Sequence, residues 1–439
     1  MPAPPQPPRP VITAAVLALA LGLTLCACSG SGARSASGAS APSALSSPAP
    51  SAPAGEDASD APGHGAIPGA AEMTEPQLRL AVVAPDGSTS GIDLLTGDSV
   101  ELPDLPAPTA VTTDGRYLFA TSASGLTVVD SGVWTVPHGD HSHYYLAESR
   151  PVGEVDGGAA MRTSSAPSLV TVLDPDAGRA VVLDGAALGA GSVALLAELD
   201  DVPADGLLVP SGRRLVQTTA GSAGSSPDTV RVLDAAGAPV AGTGVACPGA
   251  GETITSRVGV VVGCADGAVL AVAGSDPDGT VALEHIPYPA AVSDADRARD
   301  FRARKDRPVV AAVAGERGAW VLDTRDREWR LIETGTPLVA VSAVDDRDHV
   351  VVAVDRAGRV LTLDARTGVV TGTSEPLLAD TMAEPALRDA VTIEVDAARA
   401  YVNDPAGRRI LEIDHGDAAR ISREFPTPDV PMFLAEVGR

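Results

Sequence analysis

Val360-Leu361-Thr362-Leu363-Asp364 and Ile410-Leu411-Glu412-Ile413-Asp414 are two copies of one pattern, a short strand-forming run that ends in aspartate. The pattern recurs upstream as Gly91-Ile92-Asp93, Leu126-Thr127-Val128-Val129-Asp130, Ala180-Val181-Val182-Leu183-Asp184, Val230-Arg231-Val232-Leu233-Asp234 and Ala319-Trp320-Val321-Leu322-Asp323. An eighth copy, Ala268-Val269-Leu270-Ala271-Val272, lacks the aspartate. A period of roughly 40 to 50 residues is that of propeller blades. Each copy follows another short apolar run across a Gly-containing turn, which is a hairpin signal. Radial repetition also protects the sheet edges that a string of hairpins would expose. The expected fold is therefore all-β, a β-propeller of eight blades, or of seven if one weak copy is a loop. Met432 to Val437 lies beyond the last copy and is expected to pair with the first blade near Leu78 to Val83, closing the ring. The recurrent aspartate reads as a turn residue that accepts backbone N–H bonds, not as a metal array. Only Asp294 to Arg304 has a helical look.

The propeller accounts for residues 76–439. Ahead of it, Arg9 precedes an apolar run from Val11 to Leu25, which at about 15 residues is too short for a permanent membrane helix. Leu25-Cys26-Ala27-Cys28 then matches the lipobox of bacterial lipoproteins. Residues 1–27 are thus expected to be a signal peptide, with Cys28 as the lipidation site. Two acyl chains on one residue give a stable anchor where one is marginal. Residues 28–75 are rich in Ser, Ala, Gly and Pro and read as a disordered tether. His64 lies in that tether. The expected location is extracytoplasmic, on the outer face of the cell membrane. Lys305 is the sole lysine, and the Ala, Gly, Val and Arg bias marks a high-GC genome. A net charge of −25 argues against a nucleic-acid partner.

Three of the seven histidines fall within six residues, in His138-Gly139-Asp140-His141-Ser142-His143-Tyr144-Tyr145. Imidazole nitrogen and carboxylate oxygen are zinc ligands at neutral pH. One loop with three histidines and an aspartate supplies most of a metal site, and Trp134, Tyr144 and Tyr145 point to an ordered loop base. The bland alternative is an exposed His-rich loop. The repeat count places the stretch between the second and third blades, with Gly139 and Ser142 letting it move. Cys247 and Cys264 fall in the fifth blade, where adjacent strands would bring them together. Outside the membrane such a pair is expected to be a disulfide, not a zinc dithiolate.

The run from Val129 to Thr135 and the His stretch after it resemble the AztD zinc metallochaperone family. So do Cys247-Pro248 with Gly263-Cys264-Ala265-Asp266-Gly267, and Ala400-Tyr401-Val402-Asn403-Asp404-Pro405. The resemblance implies an extracytoplasmic propeller that passes zinc to the solute-binding protein of a zinc-specific ABC transporter. It implies His138, Asp140, His141 and His143 as zinc ligands. The chain departs from the family pattern where a His-Gly-Glu is expected after the first cysteine, since it has Ala250-Gly251-Glu252 there. Thr381-Met382-Ala383-Glu384-Pro385 likewise lacks a histidine found in relatives. His285, His349 and His415 remain as distant ligand candidates, with surface positions favoured for each. A non-enzymatic monomer that binds zinc is expected, with affinity falling below roughly pH 6 as imidazole protonates. Two alternatives are a metal-free propeller scaffold at the cell surface and a propeller enzyme. Neither a Ser/His/Asp pattern nor the tryptophan repeats of quinoproteins supports the second.

Overall fold

The computed structural model describes residues 65–439 except 139, 201, 223–224 and 276–278. The expected signal peptide, Cys28, His64 and most of the expected tether lie outside the described residues. Eight four-stranded antiparallel sheets and one three-stranded sheet make up the described chain. We number the four-stranded sheets one to eight from the N-terminus. All eight repeat copies occupy the same place, the third strand of a sheet counted from the strand that opens it, from Thr89–Asp93 in sheet one to Arg409–Asp414 in sheet eight. The architecture is a β-propeller.

The aspartates do what the pattern requires. Asp93, Asp130, Asp184, Asp234, Asp323, Asp364 and Asp414 each accept a hydrogen bond from a backbone N–H two residues on. The glycine that opens the third strand is as strict in three sheets. At Gly125, Gly267 and Gly318 φ is positive, and a Cβ would lie 2.2 Å from a carbonyl oxygen of the fourth strand. No side chain fits there.

The second strands are buried on both faces. Tyr117–Ser122, Leu169–Asp174 and Val350–Asp355 are buried throughout. Their side chains, with those of the third strands, form eight apolar clusters. Seven join sheets that follow one another in the chain. The remaining cluster joins sheet eight to sheet one through Tyr401, Ile410, Phe425, Leu80 and Leu434. At about 1.5–3 kcal/mol per fully buried aliphatic or aromatic side chain, each cluster outweighs what the turns contribute. Phe433–Val437 pairs with Arg79–Val83 in register, Arg79 facing Val437 and Val83 facing Phe433.

Three expectations need correction. Asp294 to Arg304 is a single 3-10 turn, Asp294–Asp296, followed by the opening strand of sheet six, Arg299–Arg302. Local helix propensity yields there to packing, because Phe301 is buried beside Trp329. The short helices lie elsewhere, at Gly185–Gly189, Ala379–Ala383 and Pro385–Arg388. Cys247 and Cys264 do form a disulfide, but not within one sheet. Cys247 follows the last strand of sheet four, Pro239–Ala246, and Cys264 ends the second strand of sheet five, so the bond ties two sheets together. Third, residues 65–75 are not a featureless tether, because Ala71–Met73 is a strand.

Leu80→Ala is expected to lower unfolding free energy by about 2–5 kcal/mol, because Leu80 is fully buried where the last sheet meets the first. Chemical denaturation checks it. Glu436, in the C-terminal strand, gives a pH signature. Burial pushes its carboxyl from 4.5 up to about 7, against the pull of Arg439. The folded state then holds a proton that the unfolded state has lost, so stability falls as pH rises from 4.5 to 7. Glu436→Gln should flatten that part of the stability–pH curve, and an unchanged slope would contradict the assignment.

Candidate metal centre

The histidines sit on a β-hairpin, not a loop. Val133–His138 and His141–Leu146 pair antiparallel, with Trp134 facing Tyr145, Val136 facing His143 and His138 facing His141. Directly paired residues share a face and alternation has a period of two. One face therefore carries Trp134, Val136, His138, His141, His143 and Tyr145, with histidines at the tip and aromatics at the base. The hairpin also does not lie between the second and third sheets. It is inserted inside sheet two, between its third strand Gly125–Asp130 and its fourth, Arg150–Asp156. Asp130 and Arg150, at the two ends of the insertion, are register partners.

The base is anchored. Trp134 stacks on Tyr145 with centroids 5.2 Å apart, and the Arg116 guanidinium lies 3.8 Å over the Trp134 ring. Arg116 is itself held by Asp130 at 2.7 Å. On the other face the Thr135 hydroxyl donates to the Gly438 carbonyl at 2.6 Å. Gly132 enters the hairpin with positive φ, where a Cβ would meet the Ala147 carbonyl at 2.4 Å. The indole N–H of Trp134 donates to the Gly65 carbonyl at 3.1 Å. With the base fixed in this way, the mobility expected of Ser142 is not built in, since it pairs with Pro137. Gly139 is outside the described residues.

The third strand of this small sheet is Ala71–Met73, with Glu72 facing Tyr145. Glu72 reaches the same face, and its Oε1 accepts from His143 Nδ1 at 2.6 Å. Asp140 Oδ1 lies 3.0 Å from His141 Nδ1, and that bond holds the Asp140 carboxyl below the usual range. Burial, with a smaller push from Glu72, raises the Tyr145 hydroxyl. A histidine that donates Nδ1–H to a carboxylate presents its Nε2 lone pair, the arrangement found behind metal-bound histidines. His141 Nε2 and His143 Nε2 point at one another, 3.2 Å apart. Two zinc–nitrogen bonds of 2.0–2.1 Å at the tetrahedral angle put their nitrogens about 3.3 Å apart. His138, His141 and His143 together offer ligand atoms within 4.8 Å of one another.

The structure thus gathers three of the four predicted ligands. Asp140 is placed behind His141, as an orienting partner and not in the group. Glu72, which does the same for His143, was missed. It lies in the stretch read as tether, and a three-residue strand has no periodicity to detect. The distant histidines do not join. His285 bonds Asp266 in sheet five at 3.0 Å, and His349 occupies a turn of sheet seven with positive φ. His415, expected at the surface, is only 4% exposed in sheet eight. Its ring is buried next to Asp396, and burial lowers its pKa.

No family model matches the chain, and no curated protein matches it in sequence. Solved structures do match. AztD from Citrobacter koseri superimposes with a TM-score of 0.70 at 19% identity, covering 83% of this chain and 98% of that one. The fold is that of AztD. The apo form of the Citrobacter koseri AztD gives a TM-score of 0.69 at 18% identity over the same shares. The dihydro-heme d1 dehydrogenase NirN is more distant, with a TM-score of 0.52 at 16% identity over 83% of this chain and 76% of that one. The match to AztD spans nearly that whole protein, and its fold agrees with the one the sequence resemblance implies. Among the described residues no helix is long and apolar enough to cross a membrane.

Glu72→Gln should leave the fold intact and weaken binding of a divalent transition ion by about 10–100-fold, as loss of an orienting carboxylate does. Isothermal titration with the wild-type chain as reference checks it.

Proposed function

We propose that this protein is an extracytoplasmic zinc metallochaperone that delivers zinc to the solute-binding protein of a zinc ABC transporter. The observation that carries the reading is the pair of Nε2 atoms of His141 and His143, 3.2 Å apart and backed on their Nδ1 sides by Asp140 and Glu72. Two carboxylates that accept Nδ1–H leave two lone pairs facing each other. A cation between them relieves that repulsion, and neutral imidazoles with a single oxygen or water suit zinc. The shared fold with AztD adds to this. We read the eight sheets as eight blades closed by the C-terminal strand, and Cys28 as the lipid anchor that holds the protein outside the membrane as a monomer.

Release follows from where the ligands sit. His141 is 55% exposed and Asp140 99% exposed, while His143 is 19% exposed under Glu72. An acceptor meets the tip first. It replaces the outer histidines one at a time while His143 holds the ion, so no free ion is formed.

The chain purified without a His tag is expected to carry roughly one zinc per molecule, as a single tetrahedral site does. His138→Ala, His141→Ala and His143→Ala together should abolish that zinc and its transfer to a purified zinc-binding acceptor. Unchanged metal content in the triple variant would sink the proposal. Zinc retained without transfer would leave a zinc store, not a chaperone.

A further inference from the structure

A second group of metal-ligand atoms lies at the turn between the second and third strands of sheet five. Cys264 Sγ, an Asp266 carboxylate oxygen and a His285 ring nitrogen are within 4.8 Å of one another. His285 stands on the neighbouring strand Val281–Pro287, opposite Val269, with its Nε2 3.0 Å from Asp266 Oδ1. The two are 29% and 54% exposed, so the group has an open side. Its inner side is the buried Cys247–Cys264 pair. A sulfur in a disulfide is not a zinc ligand, whereas a thiolate is a strong one.

We propose that the Cys247–Cys264 disulfide masks a second metal site, which takes a zinc-class divalent ion through Cys247, Cys264, Asp266 and His285 once the bond is reduced. Two thiolates, an imidazole and a carboxylate make up the four-coordinate set that zinc favours. Reduction by a dithiol supplies two electrons. The S–S bond breaks, the dithiol closes to its own disulfide, and its two protons pass to Cys247 and Cys264. Ion binding then displaces those protons from the sulfurs. Oxidation by a disulfide runs the balance backwards: the S–S bond re-forms, the oxidant becomes a dithiol, and the ion leaves. The site belongs to a different sheet from the histidine hairpin and shares no residue with it.

Cobalt(II) tests this, because thiolate ligation gives an intense charge-transfer absorption that imidazole does not. The full chain carrying the three hairpin His→Ala changes with Cys26→Ser and Cys28→Ser removes the first site and the other two thiols from the measurement. Oxidised, it should show no thiolate–cobalt band. After dithiothreitol and anaerobic gel filtration it should bind roughly one cobalt per chain with that band. Cys247→Ser in the same background should give a weaker band with no reductant, since Cys264 is then free. His285→Ala or Asp266→Asn should weaken binding to the reduced protein roughly tenfold or more. A reduced full chain without the band overturns the proposal, and so does a band that neither substitution diminishes. Both outcomes are independent of whether the hairpin binds zinc.

Discussion

No sheet in this chain can bury both its faces alone. Each second strand is largely buried on both sides, and a four-stranded sheet alone offers it no cover. The only remedy is another sheet on either side, and eight clusters supply it, the eighth joining sheet eight to sheet one. That demand fixes much else. It makes the second and third strands near-continuous hydrophobic runs, which is unusual for antiparallel strands that face water on one side. It also forces the turns to be tight and polar, hence the repeated aspartate. A buried aspartate is tolerated at a strand end where both its oxygens are occupied. Asp355, wholly buried, accepts from the backbone N–H groups of Ala357 and Arg359 and from the Arg359 guanidinium. Left unpaired, such a group would cost several kcal/mol.

This division explains what the sequence discloses. The third strands are legible because burial on both faces leaves runs such as Val360 to Leu363 with little choice of residue. The opening strands are not. Arg162–Ala166 and Glu252–Thr255 are polar and only partly buried, so nothing in Arg-Thr-Ser-Ser-Ala separates strand from loop. Arg299–Arg302 even reads as helix until Phe301 is placed against Trp329. At the candidate metal centre the residue types are legible and their geometry is not. His141 and His143 are spaced by two, which is strand spacing, but the Gly139-Asp140 tip and Pro137 suggest a loop. Glu72 is 69 residues away from His141 in sequence and sits in a segment whose composition resembles a linker.

The hairpin holds its tip outside the apolar clusters, although Val133 at its base belongs to one. Its ends, Asp130 and Arg150, face each other across sheet two, so the insertion leaves the sheet's register undisturbed. Only its base is apolar or aromatic, and that base leans on Arg116 and the end of the C-terminal strand. The tip can therefore carry three imidazoles that no propeller interface would accept. A rigid scaffold holds the base and the chemistry stands clear of it, which is how binding residues are commonly presented.

The strand Ala71–Met73 gives this arrangement a mechanical side. It is three residues long and at the edge of its sheet, and the chain ahead of it already touches the hairpin where Gly65 accepts from Trp134. Tension on the chain would load the Gly65 contact and then this strand before any propeller strand. Glu72 would leave His143 at that moment, well before Leu80 or Val82 felt any force. A pull on the chain would therefore part Glu72 from His143 while the apolar clusters of the propeller stay closed.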